Sequence, residues 1–305
     1  YIVIMNTNLS NLENQNSDIN DEYPEIEAFE DLPIHQNILK GIFSYGFEKP
    51  SPIQRKAITP VLEGKDVIAQ AQSGMGKTAT FCIGTLGLID ATLDEIQACV
   101  LVHTREMALQ IDTVFRHIGK YTDFRFNLSV KGIPSRENID ALTGARGNKP
   151  HIVIGTPGRI LDMIRKKALN TEHIKLLVFD EADELMTEGF IEQSQQMVRA
   201  MPANVQIALF SATMSPEFFN ITNKFMRDPV NILVKTDELT LDGIKQYYID
   251  CEKNEYKFDT LCDIYSVLTI NQSIIYCNSQ KIVEYLNHKL VNNNFTVSFI
   301  HGGLT

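Results

Sequence analysis

Residues 27–235 are predicted to fold as an α/β domain, a parallel sheet flanked by helices, and three observations predict it. Apolar runs of three to five residues recur along this stretch. Segments with the spacing of amphipathic helices separate them. Polar turns follow several runs at once, where open parallel sheets place their ligands.

The runs Val67–Ala69, Cys99–Val102, Phe126–Val130, Ile152–Ile154, Leu176–Phe179 and Ile207–Phe210 read as strands. They are mainly Val, Ile, Leu and Phe, the composition expected of strands buried on both faces. Helical spacing fills the intervals, as in Glu106–His117, Ile191–Ala200 and Pro216–Phe225. The alternation ends near Pro229, and a polar bridge around Lys235–Glu238 opens a linker, 236–243. Beyond it, Ile244–Ile249, Ser273–Tyr276 and Thr296–Ile300 read as strands, and Lys257–Val267 and Gln280–Leu290 as helices. Residues 244–305 therefore read as part of a second α/β domain, expected to be less stable than the first because its sheet ends on an open parallel edge. Residues 1–26, rich in Asn and acids, hold too little apolar surface to order alone and read as a flexible tail.

Composition narrows the class. A chain of 305 residues with a 44% apolar share exceeds one ordinary domain and can build packed cores. The net charge of −10 suits a nucleic-acid binder poorly, but it is unevenly placed. Residues 1–39 hold eight acids and no Lys or Arg, which leaves 30 acids against 28 bases elsewhere. A local basic track is compatible with that balance. The five cysteines are scattered without a C-x-x-C pair, so neither a zinc site nor a disulfide framework is expected, and a reducing compartment is. No run approaches the roughly 20 apolar residues of a membrane span, and no signal peptide is evident. The cytoplasm is the expected location, and a monomer the expected state.

Two segments carry the chemistry. Ala71–Thr78 reads A-Q-S-G-M-G-K-T after a strand. Ser73, Gly74 and Gly76 would form a turn whose backbone N–H groups hold phosphate oxygens. Lys77 would neutralise β/γ charge and Thr78 would ligate Mg²⁺. The general pattern has Gly where Ala71 stands. About a hundred residues on, Asp180-Glu181-Ala182-Asp183 follows the run Leu176–Phe179. Asp180 is placed to hold Mg²⁺, and Glu181 to orient or deprotonate an attacking water. Together they imply Mg-ATP.

With the rest of the chain, these motifs resemble the DEAD-box RNA helicases from Phe29 to the last residue. The resemblance implies RecA-like folds for the sheet domain and for the incomplete second domain. Gly46-Phe47 and Pro50-Ser51-Pro52-Ile53-Gln54 match the family's adenine-reading segment, with Phe29 upstream. The family's Gln amide pairs with the adenine edge while its aromatics pack on the base. Ser211-Ala212-Thr213, with Asp183, matches the element coupling nucleotide state to RNA. RNA contacts would come from Thr104, Arg105 and Glu106, from Gly132 and Arg136, and from Thr156, Pro157, Gly158 and Arg159. These contacts would fall on phosphates and 2′-hydroxyls. Thr156-Pro157 is also an ordinary helix start.

Within the family, P-H-I-V-I-G-T-P-G-R, K-F-M-R-D-P-V-N-I-L-V-K and D-E-L-T-L-D-G-I-K-Q most resemble translation initiation factor 4A. The sister factor that marks spliced messages shares much of this wording. A scaffold such as initiation factor 4G is the partner this implies, besides RNA.

Several positions depart from the pattern. Met75 stands for Thr, His103 for Pro, Met107 for Leu, and Lys131 for the first Gly of a pair. Thr187-Glu188, Asn278–Lys281 and Gly303 also differ. The family's γ-phosphate arginines lie beyond Thr305 on this alignment, so a native chain ending there is expected to bind Mg-ATP and RNA weakly without unwinding. Two readings follow: an ATP-dependent RNA helicase, or a derivative binding RNA, nucleotide or a scaffold without turnover. A small-molecule kinase would need the phosphate loop, but not T-P-G-R, S-A-T or Gln54.

Overall fold

The computed structural model describes residues 25–72, 74–145, 147–233, 247–268, 270 and 272–304. The described residues divide into two units, 25–233 and 247–304.

After a 3-10 turn at Phe29–Asp31, the first unit runs α1 (Gln36–Tyr45), α2 (Pro52–Leu62), β1 (Val67–Gln70), α3 (Lys77–Leu88) and β2 (Ala98–Leu101). It continues with α4 (Arg105–Ile118), β3 (Phe126–Ser129), α5 (Ser135–Leu142), β4 (Ile152–Gly155) and α6 (Pro157–Arg165). β5 (Leu176–Asp180), α7 (Ala182–Leu185), α8 (Ile191–Arg199), β6 (Gln206–Ser211), α9 (Pro216–Thr222) and β7 (Val230–Leu233) complete it. The seven strands form one sheet in the order β3-β4-β2-β5-β6-β1-β7, every pairing parallel.

Period-two alternation explains why the strands are apolar throughout. Val100, Ile154, Val178 and Phe210 turn to one face, where Ile42, Ile53, Phe81 and Phe115 of α1 to α4 bury them. Cys99, Val153, Phe179 and Leu209 turn to the other, against Ile160, Met197 and Phe218 of α6, α8 and α9. Each such large side chain contributes about 1.5–3 kcal/mol by leaving water. Both faces are therefore core, and the sheet's carboxyl edge is left to function.

β7 escapes the sequence reading, which stops at Pro229. An edge strand needs less apolar continuity, and Asn231 interrupts this one. Asp66 secures it: its carboxylate accepts N–H bonds from Ile207 (2.8 Å) and Arg227 (2.7 Å), and its carbonyl accepts from Val230 (2.8 Å).

In the second unit the two predicted helices are present, as α10 (Lys257–Val267) and α11 (Gln280–Asn292). The predicted strands at 273–276 and 296–300 are not: neither stretch forms a strand. Of the strand expected at 244–249, residues 244–246 and most of the linker lie outside the described residues, and Tyr247–Ile249 is unpaired. A strand exists through its ladder, and among the described residues of this unit none supplies a partner. Ile274, Tyr276 and Ile300 are accordingly exposed.

Candidate functional site

Strand order sorts the predicted site residues into two neighbouring groups. β5, β6 and β1 are adjacent, and their exits carry the acidic segment, S-A-T and the phosphate loop. β3, β4 and β2 are adjacent, and their exits carry the other predicted contacts.

At β1, Gly76 takes a left-handed conformation (φ 92°) and starts α3 at Lys77. Lys77 is 6% exposed; its Nζ donates to the Ala71 carbonyl (2.8 Å) and lies 3.9 Å from the Glu181 carboxylate. Gly74, Lys77, Thr78, Asp180 and Glu181 border a cavity of about 380 Å³. Ser73 lies outside the described residues.

The cavity's other wall is apolar, made by Tyr45, Phe47 and Met107, Ile111 and Val114 of α4. Sequence reading named Phe47 but missed the α4 part of this wall: Met107, Ile111 and Val114 follow helical spacing, which signals a core face, and here the stripe ends in a cavity. Phe29, expected to pack on a base, is instead fully buried behind Phe47, ring centroids 6.5 Å apart. Phe47 and Tyr45 are the aromatics that reach the cavity.

Gln54 is also buried and already bonded. Its Oε1 accepts the Ser51 N–H (2.8 Å), and its Nε2 donates to the Gly76 carbonyl (3.4 Å). Ser51 Oγ donates to the Met75 carbonyl (2.9 Å). The start of α2 is thus fastened to the phosphate loop, and meeting a base edge requires Gln54 to exchange bonds. Because Ser51 uses only the backbone of residue 75, Met in place of Thr keeps that contact.

Asp180 is 4% exposed, and burial followed by the neighbouring Glu181 charge pushes its carboxyl from 3.8 to about 7, against the pull of Lys77. A buried acid short of positive charge beside a phosphate loop fits a divalent cation. Among the described residues no cluster of three or more His, Cys, Asp or Glu forms a metal cage. That suits Mg²⁺, which is commonly held by one or two carboxylates with phosphate oxygens and water. Thr78 and Asp180 are the residues that would hold it. Thr213 Oγ1 donates to the Asp183 carboxylate, and Ser211 Oγ donates to the Thr213 carbonyl (2.6 Å), so S-A-T is tied to the acidic segment.

On the β3-β4-β2 side, three helices begin close together. Thr104 caps α4 by accepting the Met107 N–H (3.2 Å), with Glu106 exposed in its first turn. Arg136 is exposed in the first turn of α5. Thr156 caps α6 by backbone alone, ahead of buried Pro157 and exposed Gly158. Two arginines point elsewhere than expected: Arg159 donates to the Val130 (3.2 Å) and Ile133 carbonyls, and Arg105 to the Lys131 carbonyl (3.4 Å). Both brace the loop that follows β3.

The model of the DEAD/DEAH box helicases matches residues 51–221. The chain belongs to that family. It is 50% identical over 284 residues to the ATP-dependent RNA helicase FAL1 of Eremothecium gossypii, covering 92% of this chain and 70% of that one. It is 48% identical to the ATP-dependent RNA helicase eIF4A of Meyerozyma guilliermondii, covering 92% and 69%, and 47% identical to initiation factor 4A of Caenorhabditis elegans, covering 92% and 68%. Saccharomyces cerevisiae Dbp5 bound to RNA and ADP BeF3 superposes with a TM-score of 0.75 at 33% identity, over 92% of this chain and 70% of that one. A DEAD box protein of Methanococcus jannaschii matches at 0.66 and 31%, over 92% and 74%. This DEAD-box helicase is thus initiation-factor-4A-like, its fold is RecA-like, and it spans about 70% of the length of these relatives.

The helicase's buried acid has a measurable consequence. Asp180 keeps its proton to about pH 7 in the folded chain and loses it near 3.8 unfolded. The folded state then holds more protons between those values, so this contribution is full below pH ~4 and lost as pH rises through about 7. D180N removes the titration. In metal-free urea unfolding it is expected to be more stable than the parent at pH ~8, by on the order of a few kcal/mol, the gain shrinking toward pH ~4. A less stable D180N at the higher pH would refute the account.

Proposed function

We propose that this protein binds single-stranded RNA and Mg-ATP and uses ATP hydrolysis to unwind short duplexes, in the manner of initiation factor 4A. The observation that carries this is the single cavity joining Lys77 of the phosphate loop, Asp180 and Glu181 of the acidic strand end, and the Phe47 wall.

Lys77, already held at the loop, faces the β/γ phosphates, and the N-terminus of α3 adds its N–H groups. Phe47 and Tyr45 offer the base an apolar, aromatic surface. Glu181, half-buried with its backbone at φ 49°, presents a carboxylate at the cavity edge to orient the attacking water. Magnesium, when bound, spreads the charge of the phosphates. The Thr213–Asp183 bond links the β6 exit to the acidic segment, so a shift at one is felt at the other. RNA lies across the β3, β4 and β2 exits, where helix N-termini favour phosphate.

The names of the eIF4A relatives support placing this helicase in translation initiation; the cytoplasm, a monomeric state and a scaffold of the initiation factor 4G kind complete the proposal. Identities of 50% to FAL1 and 48% to eIF4A do not separate those two branches.

The deciding experiment measures ATP turnover with and without single-stranded RNA, followed by displacement of a short labelled duplex. RNA-stimulated turnover with displacement is expected. ATP binding without turnover would instead establish a nucleotide-dependent RNA binder.

A further inference from the structure

The loop between β3 and α5 is braced from behind. Arg159 holds the Val130 and Ile133 carbonyls, and Arg105 holds that of Lys131. Gly132 sits at φ 100°, and a Cβ there would come within 2.1 Å of an Arg105 guanidinium nitrogen. The left-handed φ at position 132 favours glycine, and the loop backbone is held by two bonds from Arg159 and a single 3.4 Å bond from exposed Arg105. The side chain of Lys131, by contrast, is exposed and has no ion pair or hydrogen bond among the described residues. Arg136, the second residue of α5, is likewise exposed and unpaired among the described residues.

We propose that Lys131 makes a direct phosphate contact with bound RNA, supplying charge at the tip of a loop whose backbone Arg159 and Arg105 hold. The proposal rests on the RNA-binding reading above. A lysine suits the task because a point charge on a long stem can follow a flexible single strand without fixed geometry. The neighbouring starts of α5 and α6 make the same surface favourable to anions. The alternative is an ordinary solvated lysine, and salt dependence tells them apart.

The probe is a fluorescein-labelled oligo(U) of ~12 nucleotides, enough for a single-strand track, with binding to the whole 305-residue chain followed by anisotropy from about 50 to 200 mM KCl. Each phosphate contact adds about 0.7 to the slope of log affinity against log salt. Lys131→Ala is expected to lower that slope by about 0.7 and the affinity roughly five-fold near 0.1 M salt. Lys131→Arg restores the slope, Lys131→Gln does not, and all melt with the parent. An unchanged slope overturns the proposal, whether or not affinity falls, because a merely structural role would weaken binding equally at every salt concentration. A parent chain that does not bind the probe sinks the RNA-binding reading itself, and this inference with it.

Discussion

Lys77→Ala is expected to lower ATP turnover by at least ~10²–10³, the loss typical when one preorganised charge or donor at a reacting oxygen is removed. The physical case is specific to this cavity. Lys77 is the cation beside two carboxylates, 3.9 Å from Glu181, and it is the positive charge that restrains the rise of the Asp180 carboxyl. Without it, negative phosphates would approach an acidic wall with no other cation among the described residues that line the cavity. Asp180 would also hold its proton to a higher pH and so compete longer with a metal ion. Binding should weaken together with turnover. The check is steady-state ATPase with a parallel titration of a fluorescent ATP analogue, circular dichroism confirming that the variant folds. Turnover within about threefold of the parent would mean that the phosphates do not sit at Lys77, since a contact of that strength cannot be lost so cheaply.

Gly155→Ala is expected to cost on the order of 3 kcal/mol or more, lowering Tm by roughly 6–12 °C for a domain of this size. Gly155 ends β4, where it pairs with Ser129 of β3 and Leu101 of β2. A Cβ would lie 2.0 Å from the Ser129 carbonyl oxygen and 2.8 Å from its carbon. Those are backbone atoms of a buried strand end and cannot step aside as a flexible side chain could. β3 would have to part from β4 just where the Lys131 loop and the start of α6 emerge. RNA affinity should therefore fall more than ATP affinity, because the phosphate loop hangs from β1 on the far side of β5 and β6. Scanning calorimetry and paired binding titrations would show it. A melting temperature within ~2 °C of the parent would show that the two strands are more loosely paired than the structure says.

Much of the first domain was legible because it is written in contiguous residues. Six of its strands announce themselves as runs of Val, Ile, Leu and Phe, and a strand buried on both faces can be built of little else. The phosphate loop and the acidic strand end are equally local. Each follows its strand directly, so wherever β1 and β5 lie, Lys77 and Asp180 stand at their exits. β7 was less visible because an edge strand needs less apolar continuity, and Asn231 breaks its run.

The predicted strands at 273–276 and 296–300 show the limit of such patterns. Their residues favour extended backbone, but a strand requires a paired neighbour that local pattern cannot supply, and neither stretch forms one.

What could be read without the fold is what this protein carries: a parallel sheet, a phosphate-loop pattern, an acidic strand end and the wording of a DEAD-box helicase. Only the tertiary structure decided what those residues touch. Gln54 clamps the phosphate loop 22 residues away, Arg159 holds a carbonyl 29 residues back, and α4 walls a cavity whose floor comes from β1 and β5. Such contacts depend on strand order. With β4 between β3 and β2, and β6 between β5 and β1, distant segments become neighbours that no local period specifies. That is why the sequence names the arginines of one face, while only the fold shows Arg159 and Arg105 holding loop carbonyls and Lys131 standing free beside Arg136.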